Sequence, residues 1–137
     1  MKNILFFIVF FTTIFSGSAQ NLNSKYVFVK KVYDFQETNN EYRVQDFLKN
    51  NLQDFGYTVI LEGEQLPNEV INDPCKMLTC NVERDKNMLT SKLIVNLLNC
   101  KNNVIFTAKG ESKTKLRQKA YPEALRNAFK NSVLQAK

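Results

Sequence analysis

The sequence predicts an α+β two-layer sandwich: a mixed, antiparallel-rich sheet with two helices on one face, in the order β-α-β-β-β-α. Short runs rich in Val, Ile, Tyr and Phe recur along the chain, as pleated, half-buried strands require. Two other stretches space their apolar residues at helical period, so each presents one apolar stripe to a core. Between Cys75 and Cys100, two alternating segments flank a polar connection, the pattern of an antiparallel hairpin with one covered face. Helices interspersed with a consecutive run of strands pack together on one side of an antiparallel-rich sheet.

Lys25 to Phe35 (KYVFVKKVYDF) reads as the first strand. Thr38-Asn39-Asn40-Glu41 then matches a capping box, in which the Thr hydroxyl and the Glu carboxylate satisfy free amides at a helix start. Val44, Phe47, Leu48, Leu52 and Phe55 form the stripe of that helix, and Gly56 ends it. Tyr57 to Leu61 is the second strand. Glu62 to Pro74, with Gly63, Pro67, Asn72 and Pro74, reads as a loop holding at most a turn of helix. Its acids, Glu62, Glu64, Glu69 and Asp73, lack the tight alternation of a calcium loop and read as solvated surface, so no metal is expected.

Strands at about 76–84 and 91–99 follow. With paired residue numbers summing to 175, Leu78 opposes Leu97, Cys80 opposes Val95 and Val82 opposes Leu93, all on one side. A one-residue slip loses that apolar set. The same register sets Cys75 opposite Cys100 and predicts a disulfide between them. Asn102-Asn103 makes a turn, and Val104 to Lys109 is the last strand, closed by Gly110. The closing helix is expected at about 122–135, with helical turns from Lys113 ahead of it. Its stripe is Tyr121, Ala124, Leu125, Ala128, Phe129 and Ser132, and Pro122 sits in its first turn or kinks a longer helix.

Residues 1–19 have the layout of a secretory signal peptide: Met1-Lys2-Asn3, an apolar run from Ile4 to Phe15, and Ser16-Gly17-Ser18-Ala19 before Gln20. The run is shorter than the roughly 20 residues of a spanning helix. No cysteine near the cleavage point offers a lipid acceptor, so the mature chain, 20–137, is expected to be one soluble domain in the periplasm or outside the cell. Removing Lys2 takes the formal charge from +6 to +5. That excess serves solubility or an affinity for anionic partners, among which export makes nucleic acid the least expected.

Histidine is absent, which removes the commonest general base and zinc ligand together. Cys80, five residues from Cys75, points to the opposite face among Leu78 and Val82 and is expected to be a buried free thiol. Asp34, Glu37 and Glu41 lie where a helix start favours negative charge rather than in paired catalytic geometry. Gly110-Glu111-Ser112-Lys113 lacks the second glycine and the residue order of a phosphate loop. No catalytic residue and no cofactor is assigned. Lys109, Lys113, Lys115, Arg117 and Lys119 form a dense basic cluster, read as either a surface for an anionic partner or a solvated helix entrance. Arg126 and Lys130, four apart, extend it along the helix.

Ser18-Ala19-Gln20, KYVFVKKVYDF, NLQDFGYTVI, Asp73-Pro74-Cys75, Asn99-Cys100 and GESKTKLRQKAYPEALRNAF together resemble an uncharacterised family of small secreted proteins from Bacteroidetes-type bacteria. The resemblance covers most of the mature chain and carries no catalytic motif. It implies cysteines matching Cys75 and Cys100, with Cys80 as a departure. The element order is also similar, in fold alone, to the TolB N-terminal domain and to penicillin-binding-protein activators, which transfers no function. These readings together lead to an expected non-enzymatic binding module of the bacterial cell envelope, contacting an envelope protein or an anionic envelope component. The alternatives are a small hydrolase or thiol enzyme using carboxylates or Cys80, and a carrier with a small-molecule pocket between sheet and helices.

Overall fold

Tyr26 to Val29 (YVFV) fills both faces of a pleat with bulky side chains, and the chain uses it as an interior strand, β1. Val27 and Val29 are fully buried toward the helices, while Tyr26 and Phe28 are half-buried on the other face. The computed structural model describes residues 24–85, 90–130 and 132, so the signal segment and its cleavage point lie outside the described residues. β1 is shorter than the run 25–35. Lys30, Lys31 and Val32 are exposed, and the chain leaves the sheet there.

The first helix, α1 (Val44–Asp54), buries Val44, Leu48 and Leu52, with Phe47 and Phe55 packed against the core. It begins later than the capping box implies. A 3-10 turn, Glu41–Arg43, precedes it, and only the Glu half of the box forms: the Glu41 carboxylate accepts from the backbone N–H groups of Glu37 and Thr38. Gly56 follows at φ 95°, left-handed backbone that suits glycine, and turns the chain into β2 (Thr58–Leu61).

β2 pairs parallel with β1. The chain then returns through the five-residue α2 (Asn68–Asn72) and a 3-10 turn, Pro74–Lys76, into β3 (Met77–Asp85). β3 runs parallel to β1 on its other flank. Right-handed crossovers in opposite directions put α1 on one face and the α2 segment on the other. The burial of Ile60 and Val70 outside the main core agrees with that placement. β4 (Ser91–Leu98) and β5 (Val104–Ser112) complete the sheet antiparallel, giving the order β2-β1-β3-β4-β5.

The β3–β4 register differs from the expected one by two residues. Cys80 opposes Leu97, Val82 opposes Val95 and Arg84 opposes Leu93, each pair summing to 177. A slip of two leaves every side chain on its expected face, so alternation cannot detect it. The expected register also set Cys75 directly opposite Cys100, and that pair lies outside the ladder. Cys75 sits in the 3-10 turn, which rises less per residue than a strand. Cys75 and Cys100 are nevertheless joined, with Cα atoms 4.8 Å apart.

β5 runs on through Gly110 to Ser112 instead of closing at the glycine. Leu98 pairs with Val104, so Ile105 is the extra residue of a bulge. The second long helix, α3 (Arg117–Lys130), buries Ala120, Tyr121, Ala124, Leu125, Ala128 and Phe129. It starts five residues before Pro122, because the Leu116 carbonyl accepts from the Lys119 and Ala120 N–H groups and closes the first turn early. Pro122 is therefore inside the helix. A Cβ on Gly110 would overlap the Ala124 carbonyl and the Ala128 backbone, so α3 rests on β5 itself. One cluster unites α1, α3 and the inward faces of the strands. Both long helices thus lie on one face, as expected.

The parallel strands give the sheet two unlike ends. The carboxyl ends of β1, β2 and β3 point the same way, and Ser91 pairs with Ser112, so the segment leading into α3 shares that end. The disulfide and the Asn99–Asn103 turn occupy the other.

Candidate functional site

The end formed by the strand carboxyl termini holds the most elaborate polar construction in the fold. Between β1 and α1, the buried side chains of Gln36 and Gln45 exchange two hydrogen bonds, at 2.9 and 2.8 Å. Gln36 also accepts from the Tyr33 N–H and donates to the Glu41 carbonyl, and Gln45 donates to the Lys30 carbonyl. The Tyr33 hydroxyl donates to the Cys80 carbonyl at 2.8 Å. β1 ends opposite Cys80, so this bond satisfies the first carbonyl of β3 beyond the reach of β1. Burial pushes the Tyr33 phenol well above its usual range.

Asn40, Tyr42 and Arg43 all have positive φ, at 54°, 59° and 58°. Left-handed backbone is costly for Tyr and Arg, and here it aims Tyr42 at α3. The Tyr42 ring stands edge-on to Tyr121 at 4.9 Å, and Phe35 meets the same Tyr121 ring at 5.3 Å. The Tyr42 hydroxyl bonds the Glu41 carboxylate, which raises the phenol pKa, and it also meets the Arg117 guanidinium, which acts more weakly in the opposite sense. The Glu41 carboxyl is held low first by the Glu37 N–H, then by the Tyr42 hydroxyl and the Thr38 N–H. Arg117 is thereby committed to bracing the start of α3.

Beside this network lies a cleft of about 420 Å³, lined by Lys31, Asn39, Asn40, Asp46, Glu62 and Glu64 among others. Open α/β sheets bind ligands at this end of their strands. In this chain three of the cleft's polar side chains are used internally. Glu62 accepts from the Lys31 N–H at 3.0 Å, Glu64 from the Leu61 N–H at 3.2 Å, and the Asn40 side chain from the Asp46 N–H at 3.1 Å. Asp73 is likewise taken, accepting from the Cys75 N–H. The space between sheet and helices, where the alternative carrier reading would place a pocket, is occupied by the fully buried Leu48, Leu52, Leu97 and Leu125.

The five residues of the expected basic surface are all exposed but do not form one patch. Lys109 faces the open side of the sheet, in a row with Ile94 and Glu83. Arg117 turns to Tyr42. Lys113, Lys115 and Lys119 remain, and they make no ion pair among the described residues. Lys113 borders a shallow groove shared with Glu111, Thr114, Glu123 and Asn127. Arg126 is withdrawn from the patch as well, its guanidinium 5.7 Å from the centre of the Phe47 ring between α1 and α3.

Amid these cations stands Leu116, 63% exposed. Sequence reasoning passed it over for a physical reason. It lies four before Ala120, so on a helix continuing backward it would join the buried stripe. α3 begins at Arg117 and leaves it outside.

Cys75 and Cys100 form the disulfide, both exposed, at the far end from this construction. Cys80 is a free thiol at 0% exposure, and burial pushes its pKa up to about 12. A thiol so placed is protonated at neutral pH and out of reach of a substrate. Among the described residues, no three Cys, Asp or Glu gather as metal ligands, and no helix is long and apolar enough to cross a membrane. No protein-family model, curated protein or solved structure matches this chain.

Proposed function

We propose that the protein is an exported, non-enzymatic binding module of the bacterial cell envelope, and that the segment 113–119 is its contact surface. The observation that carries this reading is the solvent-facing sequence Lys113-Thr114-Lys115-Leu116-Arg117-Gln118-Lys119, which has four cations, no carboxylate and an exposed leucine. Several side chains able to do chemistry elsewhere are engaged within the fold. Cys80 is buried and held protonated, the Gln36–Gln45 pair bonds to itself, and Glu62 and Glu64 bind backbone amides. Export is supported by the leader pattern of residues 1–19 and by a disulfide, a bond that forms and persists in oxidising compartments and is rare in the cytosol.

Expression of the full chain with a C-terminal tag, followed by fractionation, tests both parts. The expected product begins at Gln20, resides in the envelope fraction and carries the Cys75–Cys100 bridge. Lys113→Glu, Lys115→Glu and Lys119→Glu together should release it from that fraction while Cys80 stays protected from thiol reagents. Unchanged association of the triple variant removes this segment as the contact surface, and retention of residues 1–19 removes export.

A further inference from the structure

Resting on the reading of 113–119 as the contact surface, we infer that its partner is an anionic lipid bilayer, with Leu116 entering the acyl boundary while Lys113, Lys115 and Lys119 lie among the phosphates. An isolated exposed leucine needs no explanation on a protein surface. Among the described residues, Leu116 differs from the other exposed large apolar side chains, Val32, Ile71 and Val104, in being the most exposed and in standing between cations on both sides. An anion in free solution calls for positive charge alone. A leucine held out in water at the centre of that charge fits a partner that is negative at its surface and apolar a few ångströms beneath it, which is the profile of a bilayer interface.

The rest of the loop suits the same partner. Lys113, Lys115 and Lys119 have no ion-pair partner among the described residues, and the first turn of α3 carries no acidic residue; the nearby carboxylates, Glu111 and Glu123, line the groove beside Lys113, and Glu123 accepts from the Thr114 hydroxyl. Lysine serves well here, since its long stem lies along apolar surface while the ammonium stays at the level of the phosphates. Arg117, between them, is tied back to Tyr42 beside Glu41, and Tyr42 packs on Tyr121. The base of the loop is therefore fixed to the core, and the leucine is presented without the ordering cost a floppy segment would carry. The Lys109 row and the Arg126–Phe47 contact point elsewhere and take no part.

Vesicle sedimentation with the mature, oxidised full-length domain tests this. Binding is expected to vesicles of equal parts phosphatidylglycerol and phosphatidylcholine, and not to phosphatidylcholine alone. Each surface-proximal cation contributes about fivefold in affinity, so converting Lys113, Lys115 and Lys119 to Gln should weaken binding about a hundredfold. Leu116→Ser should weaken it about tenfold, and the loss should persist in high salt, whereas Leu116→Phe should keep or raise affinity. Cys80 protection shows that each variant is folded. Failure of the wild-type protein to bind the anionic vesicles overturns the inference. So does full binding by Leu116→Ser, or competition by soluble glycerophosphate, because either means that charge alone is recognised. If vesicles are not bound but the triple Glu variant still leaves the envelope fraction, the contact surface stands and its partner is a protein.

Discussion

The Tyr33 hydroxyl and the Cys80 carbonyl oxygen, 47 positions apart in sequence, meet at 2.8 Å inside the protein. The bond closes the step in the sheet where β1 stops and β3 continues. Removing the donor leaves a buried carbonyl without a partner, which costs roughly 1–3 kcal/mol. Tyr33→Phe should therefore lower unfolding free energy by about 2 kcal/mol in urea titration, with the denaturant slope unchanged.

The Gln36–Gln45 amide pair holds the β1–α1 connection shut through two reciprocal bonds. Each single change to Leu takes both cross-pair bonds from the other amide, which keeps only its backbone partners, and the double change leaves no amide lacking its pair. A double-mutant cycle should give a coupling of about 1–3 kcal/mol, with the double variant less destabilised than the two singles summed. Additive losses would mean the amides do not act as a pair.

Stability should fall in alkali for a stated reason. Cys80 titrates near 9.0 when free and near 12 when folded, so the folded state holds its proton longer. The contribution is present in full below about pH 9 and is lost as pH rises toward 12, at up to about 1.4 kcal/mol per pH unit. The phenols of Tyr33 and Tyr57, also raised by burial, steepen the fall above their ordinary range. Cys80→Ala should delay its onset in pH-dependent urea titrations.

The Cys75–Cys100 bridge closes 25 residues, worth about 3–4 kcal/mol by loop entropy. Both cysteines are exposed, so a mild reductant should lower stability by that amount without unfolding the chain first. The Cys75→Ala, Cys100→Ala double variant should match the reduced protein and no longer respond to reductant.

Gly110→Ala should be disproportionately damaging for a single methyl group. Its Cβ would meet the backbone of α3, which cannot yield as a side chain can. A loss of about 3 kcal/mol is expected in thermal or urea unfolding, compared with a few tenths for an exposed strand position such as Thr107→Ala. An unchanged midpoint would mean that α3 sits farther from β5.

The contrast between the β3–β4 hairpin and the β1–α1 connection shows what local pattern can carry. Leu78, Cys80, Val82, Leu93, Val95 and Leu97 all face the core as alternation requires, and Cys80 is buried among them. The two-residue shift escaped because alternation repeats every two residues and cannot count them. Pro122 resembled a helix beginning, yet α3 tolerates it in its second turn, where only one backbone bond is forgone. Nothing local marks Tyr42 and Arg43 for positive φ, or Gln36 for Gln45. Those choices come from contacts with Tyr121, Arg117 and Lys30, which are set by the tertiary fold. The cations of 113–119 were visible as composition. Their division, with Lys109 and Arg117 drawn elsewhere, was not.

The bridge between the Pro74–Lys76 turn and Cys100 also makes the β3–β4 hairpin a covalent ring. A protease nick anywhere from Lys76 to Asn99 opens that ring without dividing the molecule, because both new ends remain on one covalently connected chain. In a compartment where such cuts accumulate and are not repaired, the severed strands stay beside each other and can keep their places in the sheet.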